Sequence, residues 1–222
     1  MSDPQLLLIE TSSDICEVAI SKGTQIIQSI SNPSPKSHAQ MILSMINQLL
    51  NNHSSIDAIA ISIGPGSYTG LRIGVATAKG IALAKNIPII SVNTLESMTN
   101  QAIVDFPDYE YYLPMIDARR LEVYTTLYNK NLQQLEPIQN ILLNEPNFTD
   151  QLLANNTFCF GSGAQKLELL EKPINFNIET NNFLYARSLL KPSLIKYLAN
   201  DFLDLDTFEP FYLKEFYMNK KS

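Results

Sequence analysis

Three groups of residues in this chain have types and spacing that could do chemistry. Two are acidic turns between apolar runs, Glu10-Thr11-Ser12-Ser13-Asp14 and Asp117-Ala118-Arg119-Arg120. Such turns grip phosphate through backbone N–H groups, and a glycine usually follows the acid so that the backbone can come close. Neither turn carries one, so both look incomplete as phosphotransferase sites, and an ordinary hairpin turn accounts for the same residues. The third group is the loop Gly64-Pro65-Gly66-Ser67-Tyr68-Thr69-Gly70, between a short apolar run and a helical pattern. A dinucleotide site wants Gly-x-Gly-x-x-Gly there and a phosphate loop ends in Gly-Lys-Ser/Thr; this loop matches neither. Ser67 is in no Gly-x-Ser-x-Gly elbow. Glu10, Thr11, Ser12, Gly64, Gly66, Ser67, Asp117 and Arg119 are therefore candidates for degenerate phosphate loops. His38 and His53 are too far apart for a one-turn metal pair. The expectation is no catalytic residue, no metal and no cofactor.

These residues must be positioned by strands and helices in alternation. Residues 5–10, 15–21 and 24–30 read as three strands, and 57–63 and 87–92 as buried ones. Helices are expected over 36–50, over about 71–85, and from Thr94 to about 102. Strands interleaved with helices argue for α/β layers. In the second half, 112–117 and 122–128 flank the Ala118-Arg119-Arg120 turn, and 185–200 reads as a helix. The chain also resembles itself. Leu8-Ile9-Glu10, a polar turn and Cys16-to-Ile20 match Met115-Ile116-Asp117, a polar turn and Val123-to-Leu127. Ile63-Gly64-Pro65-Gly66 likewise matches Phe160-Gly161-Ser162-Gly163. Duplicated units of this kind belong to the actin-like ATPase (ribonuclease H-like) architecture, here with two related α/β subdomains, 1–103 and 104–222. The last ~20 residues are expected to pack back on the first.

From Gly70 to Ala84 the second helix is apolar nearly all round. Small residues Gly70, Gly74, Ala78 and Ala82 recur at every fourth position, a stripe that allows close backbone approach. A helix of this kind is buried on all sides, so either it is central to the fold or its outer face meets another chain. The reading adopted is partner contact, through Gly70, Arg72, Gly74, Ala78, Lys79 and Ala82 on this helix. Met41, Met45 and Leu49 on the preceding helix would complete the interface.

Composition narrows the function classes. The chain has 222 residues, 45% hydrophobic and 17% charged, enough to build a sizeable core. Its 16 Lys+Arg against 22 Asp+Glu give a net charge of −6, which argues against free-standing nucleic-acid binding. Two distant cysteines, Cys16 and Cys159, fit a reducing compartment. No stretch approaches the ~20 apolar residues of a membrane span, so a cytoplasmic protein is expected.

Several segments together resemble the TsaB (YeaZ) family: Leu7-Leu8-Ile9-Glu10-Thr11-Ser12-Ser13, His38-Ala39-Gln40, the Gly64-to-Gly74 run, Ser91-Val92-Asn93-Thr94-Leu95-Glu96 and Met115-Ile116-Asp117-Ala118-Arg119-Arg120. Pro210-Phe211-Tyr212-Leu213-Lys214 is similar to the family's closing segment, with Lys214 in place of arginine. Glu10 stands where an aspartate is more usual. The resemblance implies an actin-like, non-catalytic bacterial protein that helps install threonylcarbamoyl on adenosine 37 of tRNAs reading ANN codons. It implies pairing with a TsaD-like catalytic subunit and a TsaE-like ATPase, a homodimer when alone, and tRNA met only through the complex. The partner contact would be a bundle of N-terminal helices. Thr94 and Met98 stand where the catalytic relative has its metal-binding histidines, and neither suits that metal. The competing expectation is a stand-alone actin-like phosphotransferase or metalloprotease.

Overall fold

The computed structural model describes residues 3–34, 37–53, 55–143, 156–169, 177–180 and 183–213. Two sheets divide them. In the first, β1 (Gln5–Glu10), β2 (Cys16–Lys22) and β3 (Gln25–Asn32) form an antiparallel meander, and β4 (Ala58–Ser62) and β5 (Ile89–Val92) add parallel strands on the far side of β1. Its order is β3-β2-β1-β4-β5. The second sheet contains β6 (Tyr111–Asp117), β7 (Glu122–Thr125), a short β8 (Tyr128–Asn129), β9 (Gln139–Leu142), β10 (Thr157–Phe160) and β11 (Asn177–Glu179). Its path is β9-β7-β6-β10-β11, again with two antiparallel pairings on one side of the first strand and two parallel ones on the other. The internal resemblance of the sequence is thus a repeat of topology, strand for strand.

Burial explains the strand patterns. β1, β2 and β4 are apolar on both faces because both faces are covered. Leu7, Ile9, Val18, Ile20, Ile59 and Ile61 meet α1 (His38–Asn52) and α2 (Tyr68–Lys85) on one face. Leu6, Leu8, Ala19, Ala58, Ala60 and Val92 meet a returning segment on the other. That segment is a 3₁₀ turn, Ala186–Leu189, running into α4 (Leu190–Leu198). The helix expected over 185–200 therefore opens with a tighter turn, and Pro192 sits in the first turn of α4, where its missing N–H costs least. β3 alternates exposed and half-buried residues, as an edge strand does.

The halves exchange helices. α3 (Thr94–Asp105) follows β5 but packs on the second sheet, with Leu95, Met98 and Ala102 against Tyr112, Ile116, Phe158 and Phe160. The returning segment does the reverse. Where the two meet, Asn100 Nδ2 donates to the Ser188 carbonyl at 3.1 Å and Arg187 Nε to Gln101 Oε1 at 3.2 Å. Beyond α4 the chain runs as a strap along the first half: Leu203 N donates to the Ile89 carbonyl at 2.9 Å and Phe211 N to the Ile63 carbonyl at 2.7 Å. Between these anchors Phe208 is buried in the α1/α2 core.

Two sequence expectations are corrected here. The small stripe Gly70, Gly74, Ala78 and Ala82 is buried inside this chain, not offered to another. Met45 and Leu49 are buried in the same core. The stripe admits β1 and its turn at close range, because strand and helix meet backbone to backbone only where side chains are absent. The other face of α2 is the open one: Thr69, Arg72, Ala76, Gly80 and Leu83 are exposed, Leu83 by 73%. His38, expected from its place near a helix start to be a capping or surface residue, is instead buried in the first turn of α1, whose N-cap position is Ser37. Lys36 and Lys214 lie outside the described residues.

Candidate functional site

The Glu10 turn and the Gly64 loop come together, while the Asp117 turn is tied to Ser162 and Lys166. β1 delivers Glu10 into the interior, fully buried. Its Oε1 accepts hydrogen bonds from Ser12 N (2.7 Å), Ser12 Oγ (2.5 Å) and Ser62 Oγ (2.8 Å), while Oε2 has no partner. Burial pushes this carboxyl above the ordinary 4.5, and the serine hydrogen bonds oppose the rise only in part. Ser62, the last residue of β4, was not singled out from sequence. A hydroxyl ending an otherwise apolar strand was the available signal.

The loop wraps this turn. Ser67 caps α2, its Oγ accepting from Gly70 N at 3.3 Å, and its own N–H donates to the Ser12 carbonyl at 2.7 Å. A Cβ on Gly66 would lie 2.5 Å from the Ser12 carbonyl oxygen, and one on Gly70 would lie 2.0 Å from that of Thr11. On Gly74 it would lie 2.2 Å from Thr11 Oγ1, itself buried without a hydrogen-bond partner. Gly64, at φ +121°, is pressed against the strap, where a Cβ would meet the Phe211 carbonyl oxygen at 2.5 Å. Its amide donates to Thr94 Oγ1 at 3.1 Å, and Met98 packs in the second core.

A helix N-terminus with free N–H groups attracts an anion. Here the approach to the start of α2 is filled by the carbonyls of Thr11 and Ser12, which present negative ends where a phosphate would need positive ones. The glycines let turn and loop sit directly on each other.

The second cluster is open and differently wired. Asp117 Oδ1 accepts from Arg119 N at 2.6 Å and pairs with Lys166 Nζ at 2.7 Å. Lys166 also donates to the Glu122 carbonyl at 2.8 Å, and Asp117 N donates to Ser162 Oγ at 3.1 Å. Gly163 serves the same end as Gly66, since a Cβ there would meet Val123 Cγ1 at 2.8 Å and the Ile116 carbonyl carbon at 3.1 Å. Arg119 and Arg120, exposed at the hairpin tip, both adopt positive φ, at 71° and 50°. The equivalence of Glu10 with Asp117 holds for topology but not for facing. Leu8, two before Glu10, lies on the face that takes the returning segment, whereas Met115, two before Asp117, lies on the face away from α3. A one-residue slip exchanges the faces of a strand, so the two carboxylates are not a pair.

The helical surface is the remaining candidate. Of the proposed contact residues, Met41 (40% exposed) and Arg72 are on the outside and Lys79 is half-buried. Leu43 of α1, 59% exposed, and Leu83 of α2 are further exposed apolar residues on these helices, and neither was among the contact residues chosen from the sequence. The Arg72 guanidinium lies 4.0 Å from the Tyr68 ring centroid and its Nε donates to Tyr212 OH at 3.1 Å, while Lys79 Nζ lies 4.5 Å from the Phe208 centroid. No helix among the described residues is long and apolar enough to cross a membrane, and no group of three or more His, Cys, Asp or Glu among them is placed to hold a metal.

Comparison with known proteins adds the family. Residues 27–152 match the model of the tRNA N6-adenosine threonylcarbamoyltransferase family, TsaD. The chain is 30% identical to the tRNA threonylcarbamoyladenosine biosynthesis protein TsaB of Haemophilus influenzae, over 96% of this chain and 95% of that one. It is 35% identical to the Bacillus subtilis protein of the same name, over 62% of each chain. Against the Escherichia coli protein of that name, identity is 36% over 57% of this chain and 56% of that one. Among solved structures, YeaZ from Pseudomonas aeruginosa superposes with a TM-score of 0.81 at 25% identity, covering 95% of this chain and all (100%) of that chain.

Proposed function

The chain belongs to the TsaB (YeaZ) family, and from that premise we propose that it is a non-catalytic subunit in tRNA threonylcarbamoyladenosine biosynthesis. Its role is to bind and support a TsaD-like catalytic subunit that modifies adenosine 37 of tRNAs reading ANN codons. One observation carries the non-catalytic reading: the Thr11 and Ser12 carbonyls lie against Gly66 and Gly70, where a nucleotide phosphate would have to enter. An actin-like fold divided into subdomains 1–103 and 104–222, joined by the exchanged helices, is the frame in which such a closed site makes sense. Work is then done at a surface.

The surface that fits is the outer side of α1 and α2. It carries Met41, Leu43 and Leu83 exposed, an open backbone at Gly80, and Arg72 over the Tyr68 ring. Exposed apolar side chains around a fixed arginine and tyrosine are the usual composition of a protein contact. The same face serves a homodimer when the chain is alone, and a TsaE-like ATPase joins the assembled pair. tRNA is met through the complex, in keeping with a net charge of −6.

Size-exclusion chromatography with light scattering tests this, using the chain alone and mixed with the TsaD-like protein of its own source. A one-to-one complex is expected. Leu83→Asp should weaken it at least tenfold while leaving the melting temperature of the isolated chain unchanged, because Leu83 is already in solvent. Undiminished pairing by this variant rules out the α2 face. ATP turnover by the isolated chain would instead favour the phosphotransferase reading.

A further inference from the structure

The interior holds a second acid that the helical surface and the closed loop do not explain. Glu17 stands directly opposite Glu10 in the β1/β2 register, on the face that receives the returning segment. Both side chains are buried, Glu17 with 7% of its surface accessible. Like charges opposite one another across a strand pair are destabilising even in water, and two buried carboxylates cannot both ionise cheaply. Their surroundings differ. Glu17 Oε2 accepts from Ala186 N at 3.3 Å, at the start of the returning segment, and the Arg187 guanidinium favours its anion. Glu10 Oε2 has no donor, and a neutral carboxyl tolerates that far better than an anion does.

We propose that Glu10 and Glu17 hold one proton between them and that losing it releases the returning segment, Ala186–Leu189 with α4, from the first sheet. The proton resides on Glu10 and the charge on Glu17, where it caps the Ala186 amide. Ionising Glu10 places a second negative charge beside the first. The pair's response is expulsion of Glu17 toward solvent, and Glu17 is the group that ties β2 to Ala186.

Few other charges bear on the pair. Arg187 comes from the 3₁₀ turn and is itself held by Gln101 of α3 and stacked 4.1 Å from the Tyr185 centroid. From α4, Lys196 is committed to the Ser91 carbonyl at 2.9 Å and pairs with Asp201, and Lys191 is exposed. Ser12 and Ser62 are neutral, and the Cys16 thiol lies in the core on the other face of β2. Burial raises both carboxyls above 4.5. The stability that the Glu10 proton contributes is therefore fully present below that value and is lost as pH rises through the raised folded-state value of Glu10.

Hydrogen exchange of the full chain between pH 5.5 and 8.5 tests the proposal. After correction for the intrinsic rate, the amides of Ala186–Leu189 should open up to about tenfold more per pH unit above the titration. Glu10→Gln, which keeps the shape and the serine contacts while fixing the neutral state, should abolish that slope. Equal slopes in both proteins, or none in the parent, overturn the proposal. If Glu10→Gln does not fold, carbon-13 titration of glutamate carboxyls in the parent decides it. One carboxyl should titrate well above the others, and ordinary behaviour by all of them refutes the pair.

Discussion

Alanine substitution at three glycines of α2 should give three different outcomes, although propensity alone treats them alike. In an exposed helix interior, Gly→Ala stabilises by about 1 kcal/mol. Gly80 meets that condition, since a Cβ there has nothing within 4 Å. Gly80→Ala should gain about 1 kcal/mol, or roughly 2–4 °C in melting temperature for a chain of this size. At Gly74 the new Cβ lies 2.2 Å from Thr11 Oγ1 and 3.2 Å from Ile61 Cδ1. Overpacking costs roughly 1–3 kcal/mol. At the upper end, set against the helical gain, Gly74→Ala loses about 2 kcal/mol. Adding Thr11→Ala removes the offending hydroxyl, which has no hydrogen-bond partner to lose, and leaves Ile61 Cδ1 as the nearest neighbour. That pair should show a favourable coupling of about 1–2 kcal/mol. Gly70 is different again, because its Cβ would lie 2.0 Å from a backbone oxygen that no side-chain change removes. Gly70→Ala should cost more than about 3 kcal/mol, and Thr11→Ala should not rescue it. Urea unfolding followed by far-UV circular dichroism gives all six values, that of Thr11→Ala alone included, which the coupling requires. If Gly70→Ala and Gly74→Ala are as stable as Gly80→Ala, the close seating of the turn on the helix is refuted.

Two further outcomes follow from local geometry. Asn93 caps α3 by accepting from Leu95 N at 2.9 Å and Glu96 N at 3.4 Å, so Asn93→Ala should cost about 1 kcal/mol in the same urea assay, and no loss would deny the cap. Burial pushes the Cys16 and Cys159 thiols up to about 12, so neither is a thiolate at pH 8. Iodoacetamide should label both slowly in native buffer and rapidly in urea, and fast native labelling of either would contradict its burial.

How much of this was legible in the sequence depended on whether a pattern fixes direction as well as position. Apolar alternation and the Gly-x-Gly repeats were enough for the duplicated unit, because the order of strands is written in the chain. The facing of the acids was not, because Glu10 and Asp117 differ by a single step of strand phase that short apolar runs do not register. The α2 stripe failed for a related reason. Helical spacing says that Gly70, Gly74, Ala78 and Ala82 share a face, but when the opposite face is also mostly apolar or small, nothing says which one looks inward. A return of the last ~20 residues to the first half was expected, but the path and contacts of the strap were hidden for want of periodicity. Phe208, Phe211 and Tyr212 are irregular in sequence and are fixed by Lys79, the Ile63 carbonyl and Arg72, distant partners that no local pattern announces.

The closed turn and the exchanged helices together bear on what a partner could control. Opening the Glu10 turn to an anion would require withdrawing Thr11 from Gly70 and Gly74, and Ser12 from Ser67. Those contacts lie on the inner side of α2, while its outer side is the proposed partner face. A partner seated on the outer side has no direct access to the turn. It reaches the interior only by shifting the whole of α2, against Ala78 and Ala82 packed in the core and the strap pinned at Ile63. Packed interiors resist such shifts because they have few voids to absorb them. A partner therefore meets α2 as a fixed surface. The other place where a partner could act is the junction of the halves, where a few hydrogen bonds at Glu17, Asn100 and Arg187 supplement the apolar packing of the returning segment.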